Sequence, residues 1–283
     1  MSSILTNNGA IVALQTLKNV NSSLNKAQSE ISTGKSINSA KDNSAVWAIS
    51  KIMEADQSSA KAIQSSLNVA GATVQTAVDG ADLVVKTLTE MKDLAARAGT
   101  DGYSFAKVQA DITAKTAVIT ATIAGTQMNG VNLLNTNGVN GGATYTVLSS
   151  LNRSATALTA GTGGNIAVAS VDFQANVLAG ANALTAITDR ASAEAAVLKL
   201  EDNLQTAVNG SAALGAKAKQ IEEQSNFIGK LADSLKAGVG SLVDADMEEA
   251  SARLQALQTQ QQLGIQALSI ANQAPSAILS LFR

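Results

Sequence analysis

The chain has 283 residues, 46% of them hydrophobic but only 2% aromatic, and its 52 Ala make up close to a fifth of it; such small aliphatic side chains suit close helix packing better than a β-rich sandwich or barrel. With no Cys there is no disulfide framework, thiolate metal site or Cys nucleophile, and with no His there is no Ser–His triad or HExxH zinc site. A net charge of −2 argues against the basic footprint of a nucleic-acid binder, and a single Pro leaves long helices uninterrupted.

The N-terminal stretch MSSILTNNGAIVAL has no basic n-region and no cleavage site of the usual kind, so it does not read as a secretory signal peptide. No run of 18 apolar residues is present, so no membrane span is expected. Leu17, Val20, Leu24, Ala27 and Ile31 then share one helical seam.

A much longer seam follows. Stepping alternately by three and four it runs Val46, Ile49, Met53, Asp56, Ala60, Ile63, Leu67, Ala70, Val74, Ala77, Ala81, Val84, Leu88, Met91, Ala95 and Ala98, with Asp56 its only polar position. Seven heptads of this kind predict a helix with a coiled-coil-like face, roughly 80 Å long at 1.5 Å per residue. It begins after Asp42-Asn43-Ser44, any of which can cap, and stops at Gly99-Thr100-Asp101-Gly102. Gly71 and Gly80 lie within it at a cost of about 1 kcal/mol each, so packing must hold them. A shorter amphipathic helix with Phe105, Val108, Ile112, Ile119 and Ile123 on one face ends near Gly125.

From 129 to about 189 the helical period fades and Gly, Asn and Thr dominate. The runs 143–148 and 166–173 predict a small hairpin. The Gly161-Thr162-Gly163-Gly164 stretch has no Lys-Ser/Thr after it and reads as a turn rather than a phosphate loop. A second long seam passes through Val197, Leu200, Leu204, Ala207, Ser211, Leu214, Ala218, Ile221, Ser225, Ile228, Ala232, Leu235, Val239 and Leu242. The last segment carries Leu254, Leu257, Leu268, Ala271, Ile278 and Phe282 on another.

The fold class this predicts is mainly α: a long antiparallel coiled-coil or bundle rod, a small β-hairpin region and no large outer domains. The first 31 residues hold nine large aliphatic side chains, and a seam touching one neighbour cannot bury them all. Such ends are expected to become ordered among several other helices, by coupled folding and assembly. The predicted polymerisation interface is Ile11, Leu14, Leu17, Leu24 and Ile31 with Leu254, Leu257, Leu268, Ile278, Leu279 and Phe282. A charge at Leu24 is expected to block assembly more than it lowers the monomer's melting temperature.

Chemistry is sparse. Asp244, Asp246, Glu248 and Glu249 read as carboxylates opening a helix, offset by its dipole, rather than as a metal site. Trp47, the only Trp, reads as packing. Ser and Thr are plentiful without a His or an SxxK arrangement to activate them. No catalytic residue, cofactor site or metal site is assigned.

Several stretches resemble bacterial flagellins. ISTGKSINSAKDNSAVWAIS at 31–50 is similar to the family's LSSGKRINSAxDDAAGLAIS, and MNGVNLL at 128–134 to its FNGxxLL. ALGAKAKQIEEQ, then LVDADMEEASARLQALQTQQQLGIQALSIANQAPSAILSLFR, is similar to the C-terminal half of the family. The resemblance spans nearly everything except about 135–190, and the chain looks like the short α-proteobacterial forms. It implies a structural, non-enzymatic subunit that polymerises into the extracellular flagellar filament for swimming. The related alternative is a hook–filament junction protein.

It also implies a layout: 1–43 with 246–283 as an inner-tube domain, and 44–245 as a rod-like domain with the β insert at about 129–189. The partners implied are sister subunits, hook–filament junction and filament cap proteins, and a flagellar export chaperone, with type III export in place of a cleaved signal peptide. A metallopeptidase insert, found in some flagellins, needs the His that this chain lacks; the Ser/Thr-rich stretch 143–190 leaves open an adhesive or glycan-bearing module. Two departures stand out: AVWAIS replaces AGLAIS around Val46 and Trp47, and LTEMKDLA replaces LQRMRELA. The latter puts Thr89 and Glu90 in the segment recognised by the flagellin-sensing Toll-like receptor, which predicts weak activation.

Overall fold

Among the described residues the computed structural model has five α-helices and one pair of strands, in the order α1 (Asn8–Thr33), α2 (Ser44–Ala98), α3 (Phe105–Gly125), β1 (Thr144–Leu148), β2 (Asn165–Ala169), α4 (Arg190–Val243) and α5 (Met247–Leu281). A five-residue π-helix, Gln174–Leu178, lies between β2 and α4. Residues 7–100, 102, 104–139, 141–150, 164–179 and 183–281 are described, with side chains up to 273. Ile4, Leu5, the Gly161-Thr162-Gly163 turn, the 151–163 part of the Ser/Thr-rich stretch and the side chains of Ile278, Leu279 and Phe282 lie outside that set. The chain divides into two compact units, Met1–Gln57 with Asp233–Arg283, and Ser58–Ala232.

In the unit Ser58–Ala232, every seam position of α2 from Ala60 to Ala98 is buried, as the three-four spacing predicts. α4 runs antiparallel to α2 in one continuous register. Going up α2 through Gln64, Asn68, Gly71, Asp82 and Lys92, the facing residues on α4 descend through Gly229, Ser225, Ile221, Ser211 and Glu201. Polar contacts stitch the seam: Ser225 Oγ donates to Asn68 Oδ1 and Ser211 Oγ to Asp82 Oδ1, both at 2.7 Å, and Lys92 pairs with Glu201.

On α4 the outcome is mixed. Leu200, Ala207, Leu214, Ile221, Ser225, Ile228 and Ala232 are buried, but Val197, Leu204, Ser211 and Ala218 are only half-buried, whereas Ala193, Ala196, Asn203 and Gly210 go deeper. The reason is a second partner. Phe173, fully buried, lies against Gly210 so closely that a Cβ there would sit 2.5 Å from its ring. The buried arc of α4 is therefore wider than a two-helix seam.

Val108, Ile112, Ile119 and Ile123 form the buried face of α3. Its end is fastened by the segment that follows. Asn129 (φ 51°) and Gly130 (φ 77°) form a tight turn closed in both directions between Met128 and Val131, at 2.9 and 3.0 Å; positive φ at both central residues is what a type I′ turn needs. Asn132 Nδ2 donates to the Ile123 carbonyl at 2.6 Å, and Leu133 and Leu134 are fully buried. Gly80 of α2 leaves room for this packing, since a Cβ there would lie 2.4 Å from Thr126 Oγ1. MNGVNLL is thus a turn, a clamp and two anchors.

The strands pair antiparallel, with Thr144 opposite Ala169 and Leu148 opposite Asn165. The second strand is shorter than the predicted 166–173. Past Ala169 the chain leaves the ladder, and the amides of Val171 and Phe173 donate instead to the carbonyls of Leu133 and Leu134.

In the other unit, Asn7 caps α1 by accepting from the Ala10 amide at 3.0 Å, and Gly34 (φ 69°) ends it with its amide on the Glu30 carbonyl. The chain then pairs briefly with the segment before α5: Ser36 N donates to the Val243 carbonyl and Ala245 N to that of Gly34. Val243 is buried and Leu242 exposed, one residue off the predicted seam, because this pairing holds the Val243 side. Among the three candidates, Asn43 caps α2 through the Val46 amide at 3.2 Å. Val46 and Trp47 are half-buried; Ser50, rather than Ile49, takes the inward place.

Candidate assembly surface

Helices α1 and α5 lie antiparallel. Asn7 Nδ2 donates to the Ala271 carbonyl, Leu17 packs beside Gly264, and Gln261 Nε2 donates to Asn21 Oδ1; both hydrogen bonds measure 2.7 Å. Leu24 and Ala27 are buried between them. Leu17, Ile31, Leu254, Leu257 and Leu268 are half-buried along this seam. Burial of Leu24 changes its expected role. An aspartate there opens the pair itself, so it lowers monomer stability as well as assembly.

The remaining apolar side chains point away. Ile11, Val12 and Leu14 are exposed on α1; on α5 Leu263, Ile265 and Ile270 are 58%, 54% and 69% exposed. Ile49, Ile52 and Met247 of the same unit are exposed too. At 100° per residue, Ile11 and Leu14 stand on one flank of the α1 seam and Val12 on the other, and Leu263 and Ile265 flank the α5 seam likewise. Large aliphatic side chains on both flanks of a seam need more partners than one neighbouring helix supplies. Leu263, Ile265, Ile270 and Ile52 were not among the predicted interface residues. The signal was available, because each is a large aliphatic residue off the seam of its helix.

Polar groups fix the shape of this unit. Glu54 accepts from Lys51 at 2.6 Å and Lys35 at 3.3 Å, tying α2 to the loop after α1. The Lys51 hydrogen bond, then that from Lys35, holds its carboxyl below the usual range. Asp42 accepts from the amides of Ser39 and Asn38 and from Ser39 Oγ, and these lower its pKa too. Asp246 opens α5 by accepting from the amides of Glu248 and Glu249 at 2.9 and 3.2 Å, which is the helix-opening role read for that acidic stretch. Among the described residues no group of three or more acidic side chains could hold a metal ion.

In the other unit Thr89 is exposed, and Glu90 accepts from Lys115 of α3 at 2.5 Å. That ammonium holds the Glu90 carboxyl below its ordinary range.

A mainly helical protein whose paired terminal helices leave several large aliphatic side chains exposed presents apolar surface that further helices can cover. Comparison with known proteins identifies the class. Residues 4–138 match the bacterial flagellin N-terminal helical region and residues 197–282 the C-terminal helical region. Flagellin FljO of Caulobacter vibrioides is 40% identical over 286 aligned positions, covering 100% of this chain and 99% of that one. A flagellin of Brucella melitensis is 38% identical over 290 positions, covering 100% of both. A putative flagellar hook-associated protein from Vibrio parahaemolyticus has the same fold, with a TM-score of 0.57 at 12% identity over 72% of this chain and 100% of that one. The chain belongs to the bacterial flagellin family, and its similar relatives are α-proteobacterial.

Proposed function

We infer that this protein polymerises with other flagellin subunits as a structural subunit of the extracellular flagellar filament, through the apolar flanks of α1 and α5. The supporting observation is that large aliphatic side chains on both helices stay exposed once the two have paired. Full-length similarity to flagellins favours the filament over the hook–filament junction, since the hook-associated protein shares only the fold. In the layout that goes with this role, 1–43 and 246–283 line the inner tube and 44–245 form the surrounding domain. Ile11 and Leu14 face neighbouring copies. Leu17, Leu24, Ile31, Leu254, Leu257 and Leu268 preform the pair that presents them, and Ile278, Leu279 and Phe282 extend the contact toward the C-terminus.

The role is mechanical and needs no catalysis. Its further partners are an export chaperone, the filament cap and the junction proteins, and export proceeds without a cleaved signal peptide. No described helix is long and apolar enough to cross a membrane. Thr89 and Glu90 weaken recognition by the Toll-like receptor, with Glu90 already engaged by Lys115. Electron microscopy of the purified chain after salting out tests the role, because kosmotropic salt strengthens apolar burial: long filaments support it, and dispersed monomers or shapeless aggregate overturn it.

A further inference from the structure

Five Asn–Gly sequences occur in the chain, at 8–9, 129–130, 137–138, 140–141 and 209–210. In such a pair the Gly amide nitrogen can attack the Asn side-chain carbon, because no Cβ on the Gly hinders the approach. Whether it does depends on the backbone holding it. Asn209 lies inside α4 and Asn8 is the first residue of α1; both hold helical backbone, which must rearrange before the next amide can swing onto the side chain, and Asn209 Oδ1 also accepts from Gln205. The Gly138 amide donates to the Asn135 carbonyl, and Gly138 is wedged against Asn132, 2.0 Å from where its Cβ would be. Asn140 lies outside the described residues.

Asn129–Gly130 differs on each count. Both residues are exposed, and among the described residues no hydrogen bond engages the Gly130 amide. Asn129 is the only non-Gly residue with positive φ among those described. The peptide between them is the central one of the turn, whose closing bonds belong to Met128 and Val131. It can rotate from the I′ to the II′ form without breaking either bond, since both turns suit a hairpin and both keep φ positive at the first central residue. The II′ form is also the one a five-membered succinimide ring imposes on that residue.

We propose that Asn129 is a site of spontaneous modification through a succinimide. The deprotonated Gly130 nitrogen forms a bond to Asn129 Cγ, the Cγ–Nδ2 bond breaks, and ammonia leaves with the proton. Water then opens the ring at either carbonyl, leaving aspartate or isoaspartate at position 129. The product adds one negative charge, and in the isoaspartate form an extra backbone methylene, directly before the Asn132 clamp and the Leu133 and Leu134 anchors.

The test holds the purified full-length chain in warm, mildly alkaline buffer, folded and in urea, and locates conversion at each position by peptide mass spectrometry with electron-transfer fragmentation. In the folded protein, position 129 converts about tenfold or more faster than 8, 137 and 209, which react only through local opening; in urea the four rates converge. A rate at 8, 137 or 209 equal to or above that at 129 in the folded protein overturns the proposal, as does a ranking unchanged by urea.

Discussion

Replacing Leu263, Ile265 and Ile270 together by Gln separates assembly from folding. Their exposure of 58%, 54% and 69% means that more than half of each side chain is still in contact with water after α1 and α5 have paired. Full burial of such a side chain is worth about 1.5–3 kcal/mol, so each has roughly 1–2 kcal/mol left to contribute when neighbouring copies cover it. Together that is about 3–5 kcal/mol per subunit, and at 1.4 kcal/mol per factor of ten the critical concentration for polymerisation rises roughly a hundredfold or more. Gln is a good helix former and the three sites are exposed, so each change costs the monomer no more than about 0.5 kcal/mol. Sedimentation over a concentration series gives the critical concentration, and circular dichroism gives the melting temperature. Leu24→Asp is the contrast, losing both because Leu24 is buried in the pair. An unchanged critical concentration for the triple variant refutes the assignment of these flanks. So does a monomer that melts as early as Leu24→Asp.

Gly210→Ala forces a methyl against the Phe173 ring. Overpacking of about 1–3 kcal/mol outweighs a helix gain of about 1, so the melting temperature should fall by a few degrees; an unchanged or raised value contradicts the close approach. Because the Glu54 pKa is lowered in the folded protein, its contribution is present above the unfolded value near 4.5 and is lost as pH falls through the lower folded value. Glu54→Gln should therefore flatten the loss of melting temperature on acidification below that pH, and parallel wild-type and variant profiles would count against the Lys51 and Lys35 contacts. In a receptor reporter-cell assay the protein should be weakly active and Glu90→Arg more active; full potency of the unaltered chain refutes the role given to Glu90.

The parts of this fold legible in the sequence are those set by local periodicity and capping. The α2 seam is buried at every position from Ala60 to Ala98 because one continuous partner, α4, faces it at a constant register. The stop before Gly99 and the cap among residues 42–44 follow from side-chain chemistry alone. Legibility fails where a segment distant in sequence packs beside the seam and widens the buried arc. Gly210 sits one residue off the predicted α4 seam because Phe173, distant in sequence, packs from the side. The candidate surface divides in the same way. Seam spacing identified Leu24 and its neighbours, which hold the pair together, and passed over Leu263, Ile265 and Ile270, which stay exposed once the pair has formed.

The central claim is that the apolar chain ends drive polymerisation rather than folding. Its most direct test removes residues 272–283, including Ile278, Leu279 and Phe282, and compares the truncated and full-length chains by thermal melting and electron microscopy after salting out. The α1–α5 contacts from Gly9 and Ala271 inward are retained, so the truncated chain should melt close to the full-length protein yet form no filaments. Long filaments from the truncated chain would contradict the claim.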